Sequence, residues 1–162
     1  MEKNELLLMS IKTKYASRIF AGTKEYEFRR KSIGEKNCYK EIYIYSSEEE
    51  KAIVGYIIVD KILNGNLKKI QALTNSFNNK GMENYFNGCK ECYALHISEH
   101  HKFIKPIKLE DIKKQHKKFA VPQFYRYIKE EEPIYDLLES TLVEWKHIKN
   151  NVITNNIIHI LK

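Results

Sequence analysis

The spacing of apolar residues changes twice within the first thirty positions of the chain. Residues 6–12 begin with the apolar run Leu-Leu-Leu-Met, which is typical of a buried strand. Residues 13–21 then carry apolar side chains at helical spacing, namely Tyr15, Ala16, Ile19 and Phe20. Gly22 follows at the position where a left-handed backbone commonly ends a helix. The pattern therefore predicts a strand followed by a short helix capped by Gly22.

After Gly22 the residues alternate with a period of two. Tyr26 and Phe28 fall on one face of the predicted strand, and Glu27 and Arg29 fall on the other. We expect the aromatic pair to be buried and the charged pair to be accessible, as in a strand with one covered face. Lys24 has the wrong parity for that accessible face, so it can join Glu27 and Arg29 only through an irregular turn after Gly22.

The rest of the chain predicts a mixture of strands and short helices. Further strands are predicted at residues 41–47, 53–63 and 92–97, with Pro106 ending the last extended run. Helices are predicted at residues 67–73, 82–86 and 109–119. Beyond Pro133 the apolar spacing predicts one helix up to Ile148 and a second short helix after Asn150-Asn151. The predicted division is one domain over residues 1–130 and a helical appendage over residues 131–162.

Composition favours an intracellular protein with an acidic partner. The chain has 162 residues, a net charge of +7 and a pI near 9.1, so nucleic acid is the first expectation and an anionic membrane the second. The apolar run at residues 6–9 is too short for a signal peptide or a membrane span. Three cysteines without an export signal favour a reducing compartment, so we expect a cytoplasmic protein.

The run Gly22-Thr-Lys24-Glu-Tyr-Glu27-Phe-Arg29, with its strand and helix in front, resembles the ASCH domain of the PUA-like superfamily. The resemblance continues through residues 42–47, 53–56 and 93–97 to residues 121–125. It implies an α+β fold built on a small β-barrel and an association with RNA binding and RNA-related enzymes.

Lys24, Glu27 and Arg29 have two interpretations. They form a partly exposed ion pair with no function, or Lys24 and Arg29 hold phosphate or base oxygens while Glu27 positions them. The resemblance favours the second interpretation. We therefore predict binding of RNA or a modified nucleotide in a basic cleft between the capped helix and the barrel. Its rim is predicted to contain Ser10, Lys12, Tyr45 and Ser46.

Two alternatives from other classes remain: a small hydrolase or ribonuclease, and a protein-interaction module that uses the C-terminal helices. Some relatives with this fold deacetylate a modified cytidine nucleoside with a threonine nucleophile, but the matching position here is Glu27, which lacks the hydroxyl. Another branch of the same family resembles a ribonuclease that uses Tyr, Lys and Ser side chains for catalysis. The candidate catalytic residues are Lys24, Glu27 and Tyr45.

Two further clusters of polar and aromatic residues are candidates for a metal site or a nucleic-acid contact. Cys89, Cys92 and the histidines from His96 onward invite a zinc interpretation, but an extended chain separates them, so no metal and no cofactor are predicted. Residues 113–118 are interpreted as a solvated basic helix face. In residues 123–127, Gln123, Tyr125 and Arg126 are predicted to contact nucleic acid, with Phe124 buried.

Overall fold

A six-stranded mixed sheet lies at the centre of the protein. The computed structural model describes residues 4–161. In chain order the strands are β1 (Glu5–Lys12), β2 (Tyr26–Arg29), β3 (Glu41–Ser47), β4 (Ala52–Gly65), β5 (Cys92–Lys108) and β6 (Tyr125–Lys129). Their order across the sheet is β2-β5-β4-β3-β1-β6. Strands β1 and β3 are parallel, and the other neighbours are antiparallel.

Five α-helices accompany the sheet over residues 4–161. They are α1 (Thr13–Phe20), α2 (Leu67–Thr74), α3 (Lys80–Tyr85), α4 (Leu109–Gln115) and α5 (Pro133–Leu161). One short 3₁₀ turn, Glu35–Asn37, precedes β3. Strands and helices are interspersed along the chain, but every neighbouring pair in the sheet except β1 and β3 is antiparallel, so the sheet is not built from repeated βαβ units and the predicted α+β class is confirmed.

Both faces of the central strands are covered. Leu7, Met9 and Ile11 of β1 join an apolar cluster with α1, whereas Leu8 enters a second cluster with α4 and α5. A third cluster lies beneath α2 and α3, beside β2 and β5. Burial on both faces explains why β1 reads as a continuous apolar run instead of an alternating one.

The long strands β4 and β5 are irregular where they pair. Their register shifts at three points, and β3 and β4 shift once between Ile44 and Tyr45. Such bulges bend a strand and increase its twist, which a sheet needs in order to curve into a small barrel. The observed sheet is therefore consistent with the PUA-like barrel that the resemblance implied.

Two predicted boundaries are wrong. Strand β5 continues through Pro106 to Lys108. Pro106 falls in the register shift between the pairs Gly55↔Lys102 and Ile53↔Ile107. Proline, which has no backbone N–H to donate, is tolerated at such an irregularity in the ladder. The C-terminal segment is one continuous helix, α5, which runs through Asn150 and Asn151. An asparagine inside a helix is less favourable than alanine by less than about 1 kcal/mol, so it does not end the helix. The domain division at residue 130 stays a prediction.

Gly55 lies at one of these irregularities and allows β4 to approach β5 closely. A Cβ atom at this position would overlap the carbonyl oxygen of His101 and lie 2.9 Å from the Cα of Lys102, both backbone atoms that cannot move aside. We expect Gly55→Ala to lower the free energy of unfolding by about 1–3 kcal/mol, as overpacking does, measured by urea denaturation.

Gly81 provides the matched control for this substitution. It lies in α3, where an added Cβ would meet only the Asn79 side chain at 3.4 Å. Gly81→Ala should therefore leave stability unchanged or raise it by up to about 1 kcal/mol. An equal response of the two glycines would contradict the close approach of β4 and β5.

Candidate functional site: a cleft beside the capped helix

The turn after α1 carries Lys24 out of the strand register. Gly22 has φ +77°, the left-handed conformation predicted for it. The backbone N–H groups of Thr23 and Lys24 both donate to the carbonyl of Arg18, at 2.9 and 3.2 Å. The backbone thus remains in the helix-ending turn until Lys24, and β2 begins only at Tyr26.

Glu27 joins two cations. Its Oε2 lies 3.3 Å from the Lys24 Nζ, and its Oε1 lies 3.1 Å from the Arg29 Nη2. The same Nη2 donates to the backbone carbonyl of Ser10 at 2.9 Å, so Arg29 connects edge strand β2 with β1. Lys24 also donates to the carbonyl of Tyr26. The three charged residues therefore converge as one cluster with a net charge of +1.

The predicted exposure of this cluster is wrong. The side chains of Lys24, Glu27 and Arg29 are only 11%, 9% and 10% exposed. Tyr26 and Phe28, expected to be buried, are half-buried against the third cluster, where Phe28 meets Phe86 edge-on. The charged face of β2 turns towards β1 instead of solvent, and a period of two cannot indicate which face a neighbouring strand will cover.

Burial shapes the chemistry of the cluster. It lowers the pKa of Lys24, and the carboxylate of Glu27 only partly opposes this effect. The Nε of Arg29 is buried without a hydrogen-bond partner among the described residues. The site therefore holds a lysine that loses its proton more readily than usual and a guanidinium with an unused donor.

A cavity of about 740 Å³ opens beside the cluster, within the range of ordinary ligand sites. It lies between α1, the start of β2 and the α2–α3 region. Its charged lining consists of four cations and two carboxylates: Lys12, Arg18, Lys24, Arg29, Glu25 and Glu27. Its aromatic lining consists of Tyr15, Tyr26, Phe28, Tyr85 and Phe124, and hydroxyl and amide side chains complete the wall.

Three more of the predicted site residues line this cavity along with the charged cluster: Ser10 and Lys12 from the predicted rim, and Gln123. Ser10 lies on its wall, where its hydroxyl donates to the carbonyl of Pro122 at 2.6 Å. Lys12 lies at the edge and pairs with Glu48 at 3.1 Å. Gln123 is exposed at the opposite edge.

Four other predicted site residues lie outside the cavity. Tyr45 is in the second apolar cluster, and Ser46 is fully buried beside the Thr13 hydroxyl at 3.1 Å, since both faces of β3 are covered. Tyr125 packs against the first cluster and donates to the Ser32 carbonyl at 3.3 Å. Arg126 pairs with Glu132 at 2.9 Å and covers the Phe119 ring.

Several cavity residues were missed or misjudged from the sequence. Tyr15 was counted among the apolar positions of α1, but its ring is 37% exposed, and Arg18 stands one turn further along. Phe124 was expected to be buried and is 44% exposed. Tyr85 enters from α3. The spacing of Tyr15 and Arg18 at i and i+3, one turn before the glycine cap, was the available signal.

The cysteines and histidines considered for zinc do not converge. Cys92 is buried and Cys89 half-buried in the third cluster, whereas His96 bonds to two carboxylates. Within residues 4–161 no three His, Cys, Asp or Glu side chains are arranged to hold a metal ion. None of the helices in this part of the chain combines the length and apolar character of a membrane span.

His96 fixes the outer edge of the cleft. Its Nδ1 lies 2.5 Å from the Asp60 carboxylate on β4, and its Nε2 lies 2.9 Å from that of Glu25, which lines the cavity. The backbone N–H of Ile97 also donates to the Glu25 carbonyl at 2.9 Å. Burial alone would lower the pKa of His96, but the two carboxylates outweigh it and raise the pKa above its ordinary value.

This architecture, a mixed sheet with bulged long strands and a charged cleft beside a capped helix, recurs in known proteins. No protein-family model matches the chain. A curated relative, the ASCH domain-containing ribonuclease of Zymomonas mobilis subsp. mobilis, is 25% identical over 128 residues, which span 77% of this chain and 85% of the relative.

Solved structures agree on the fold. The crystal structure of ASCH from Zymomonas mobilis has a TM-score of 0.70 at 24% identity and covers 85% of this chain and 93% of its own. The N-terminal domain of Staphylothermus marinus McrB has a TM-score of 0.53 at 12% identity, covering 83% and 93%. The resemblance found in the Gly22–Arg29 run is thereby confirmed: the chain is similar in sequence to a curated ASCH domain protein and shares its fold with solved ASCH structures.

The buried ion cluster leads to a prediction about stability. Arg29→Met would leave the Glu27 carboxylate with one cation fewer and the Ser10 carbonyl without its donor. We expect the free energy of unfolding, measured in urea, to fall by about 3–5 kcal/mol, as when one partner of a buried pair is removed.

Arg30 is the matched control, since it is the next residue but is exposed, donates to the Tyr85 carbonyl and lies over the Tyr85 ring. Arg30→Met should cost about 1 kcal/mol or less. Similar losses for the two arginines would show that the Arg29 cluster behaves as a surface ion pair.

The His96 bridge predicts a pH dependence of stability. Because folding raises the pKa of His96, the bridge stabilises fully below the unfolded pKa of about 6.5 and its contribution is lost as the pH rises through the folded pKa. The melting temperature of the wild type should therefore exceed that of His96→Gln by more at pH 6 than at pH 9.

Asp60→Asn supplies the control for this measurement. Asp60→Asn removes one of the carboxylates that raise the pKa of His96. In the Asp60→Asn background, the effect of His96→Gln on the melting temperature should therefore differ less between pH 6 and pH 9. A difference between wild type and His96→Gln that is constant with pH would show that His96 contributes by packing alone.

Proposed function

We propose that the cleft binds single-stranded RNA, with phosphate oxygens held by the cations beside α1 and an unpaired base stacked on the exposed rings. The observation that carries this proposal is the composition of one cavity. Lys12, Arg18 and Lys24 face the same space as Tyr15 and Phe124. Cations and exposed aromatic faces together are what unpaired nucleotides require, because phosphates need charge and bases need flat surfaces.

Other features support an RNA ligand. The chain has a net charge of +7, which favours polyanions in general. The curated relative is named a ribonuclease. A modified nucleoside would occupy the same cavity through its base, so it is the natural competitor in a binding experiment.

Phosphodiester cleavage is the second candidate, and the lowered pKa of Lys24 favours it. A lysine whose pKa is lowered gives up its proton more readily, and its amine form can accept the proton of a ribose 2′-hydroxyl while a neighbouring cation stabilises charge on the phosphate. The 2′-oxygen would then bond to phosphorus as the bond to the 5′-oxygen breaks, and that oxygen takes up a proton. Glu27 holds Lys24 in place at 3.3 Å.

The experiment uses a fluorescent mixed-sequence RNA oligomer, followed for both retention and product. Arg18→Gln and Lys24→Met should each weaken binding by about 1–3 kcal/mol, the value of a charge-assisted contact. Affinity should fall as salt rises, and single strands should bind more tightly than duplex. Lys68→Gln is the matched control, since Lys68 is an exposed lysine on α2 that does not line the cavity.

Undetectable RNA binding at low salt, or equal effects of Lys68→Gln and Arg18→Gln, would contradict the binding proposal. Cleavage is judged from product. It should vanish in Lys24→Met, and in the wild type its rate should rise with pH, because more Lys24 becomes neutral. Retained RNA without product, at any pH, would leave binding in place and remove cleavage.

A further inference from the structure

A second groove lies on the other side of α1, between β5 and α5, and has no part in the proposed RNA site. Its volume is about 450 Å³. Its walls include the aliphatic side chains of Ile104, Ile148, Val152 and Ile153. Ile104 is 74% exposed and Val152 is 53% exposed, values that are unusual for aliphatic residues grouped in one place.

Only the first part of α5 is packed against the sheet. Its buried residues are Ile134, Leu138 and Leu142, all before the groove. Trp145 then anchors the helix by donating its indole N–H to the Lys102 carbonyl at 3.0 Å. The aliphatic residues that follow have no apolar partner on their open side within the described chain.

The charged residues of the groove are all basic or imidazole side chains. Lys102 and Lys149 line it together with His100 and His101, and no Asp or Glu among residues 4–161 does so. The Nζ of Lys149 lies 3.3 Å from the Nδ1 of His101 and 5.0 Å from the centre of the Trp145 ring. Neither lysine forms an ion pair with a described residue, so their charge is available to a partner.

These features distinguish a protein partner from RNA. The aromatic surface is occupied, because Lys149 covers Trp145 and His101 meets the same ring edge-on. The open surface is mainly aliphatic, with Phe20 half-buried and His100 the exposed imidazole, so it offers bases less stacking surface than the cleft does. A second copy of the chain is disfavoured as well, since it would bring another net charge of +7 against a basic groove.

We infer that this groove docks an amphipathic helical segment of another protein, with aliphatic residues on one face and carboxylates beside it. The aliphatic face would cover Ile104, Val152 and Ile153, as in helix-in-groove recognition. The carboxylates would pair with Lys102 and Lys149, which gives the groove its charge preference. The inference concerns a surface separate from the RNA cleft and stands without it.

The test uses two designed helical peptides that share leucines at i, i+3, i+4 and i+7 and carry either glutamate or lysine elsewhere. Fluorescence anisotropy should show the glutamate peptide binding the full chain at least roughly tenfold more tightly than the lysine peptide. Val152→Asp and Lys149→Glu should each weaken the glutamate peptide by roughly tenfold or more.

Val143→Asp and Lys113→Glu are the matched controls. Val143 is on α5 and 67% exposed but does not line the groove, and Lys113 lies on α4. Both should leave peptide binding unchanged, and circular dichroism should show all four variants folded. No binding of the glutamate peptide, equal binding of both peptides, or equal effects of Val143→Asp and Val152→Asp would overturn the inference.

Two further outcomes would also overturn it. If sedimentation reveals a dimer of the wild type that Val152→Asp dissociates, a second copy covers the groove. If Lys149→Glu weakens RNA-oligomer binding while peptide binding stays the same, the groove belongs to the nucleic-acid surface. Peptide binding that is lost in Lys149→Glu with RNA binding unchanged supports the inference.

Discussion

The bridge from Glu27 to Lys24 and Arg29 is the interaction on which the cleft depends. Burying three charged side chains is costly unless each finds partners, because water is lost on all of them. Here one carboxylate is shared by two cations, and Arg29 also donates to the Ser10 carbonyl. The arrangement connects the edge strand β2 to β1 and fixes the position of the lysine that faces the cavity.

The bridge also explains why the cavity is cationic although Glu27 lies within it. One carboxylate cannot neutralise both neighbours, and the exposed Lys12 and Arg18 add further positive charge at the rim. Burial then lowers the pKa of Lys24, which makes its charge sensitive to what occupies the cavity. A bound phosphate would favour the ammonium form, whereas a proton-transfer role would use the amine.

The fold separates this cleft from the surface formed by β5 and the later part of α5. Helix α1 stands between them, with Tyr15 and Arg18 directed towards the first and Phe20 towards the second. The cleft combines cations with accessible rings, and the groove combines cations with aliphatic side chains. Because bases stack on rings and protein segments bury aliphatic surface, the two surfaces suit different partners.

Local chemistry alone determined several elements of this protein. Gly22 takes the left-handed conformation because few other residues adopt it without strain, and the turn it forms brings Lys24 to Glu27 as the parity of the strand required. The individual strands and helices followed from the change between periods of two and 3.6 residues, whereas the α+β class was what the resemblance implied. The turn and the periods are short-range properties that neighbouring residues in the chain decide.

The tertiary structure decided which faces are covered, and the interpretation of single residues changed accordingly. Tyr45, Ser46, Tyr125 and Arg126 have side chains suited to RNA, but β3 is covered on both faces and Arg126 is occupied by Glu132. Glu27 and Arg29 alternate correctly with their neighbours, yet the covered face is the charged one. Alternation in the sequence indicates only that the two faces of strand β2 differ. Long-range packing against β1, α2 and α3 decides which face is exposed to water.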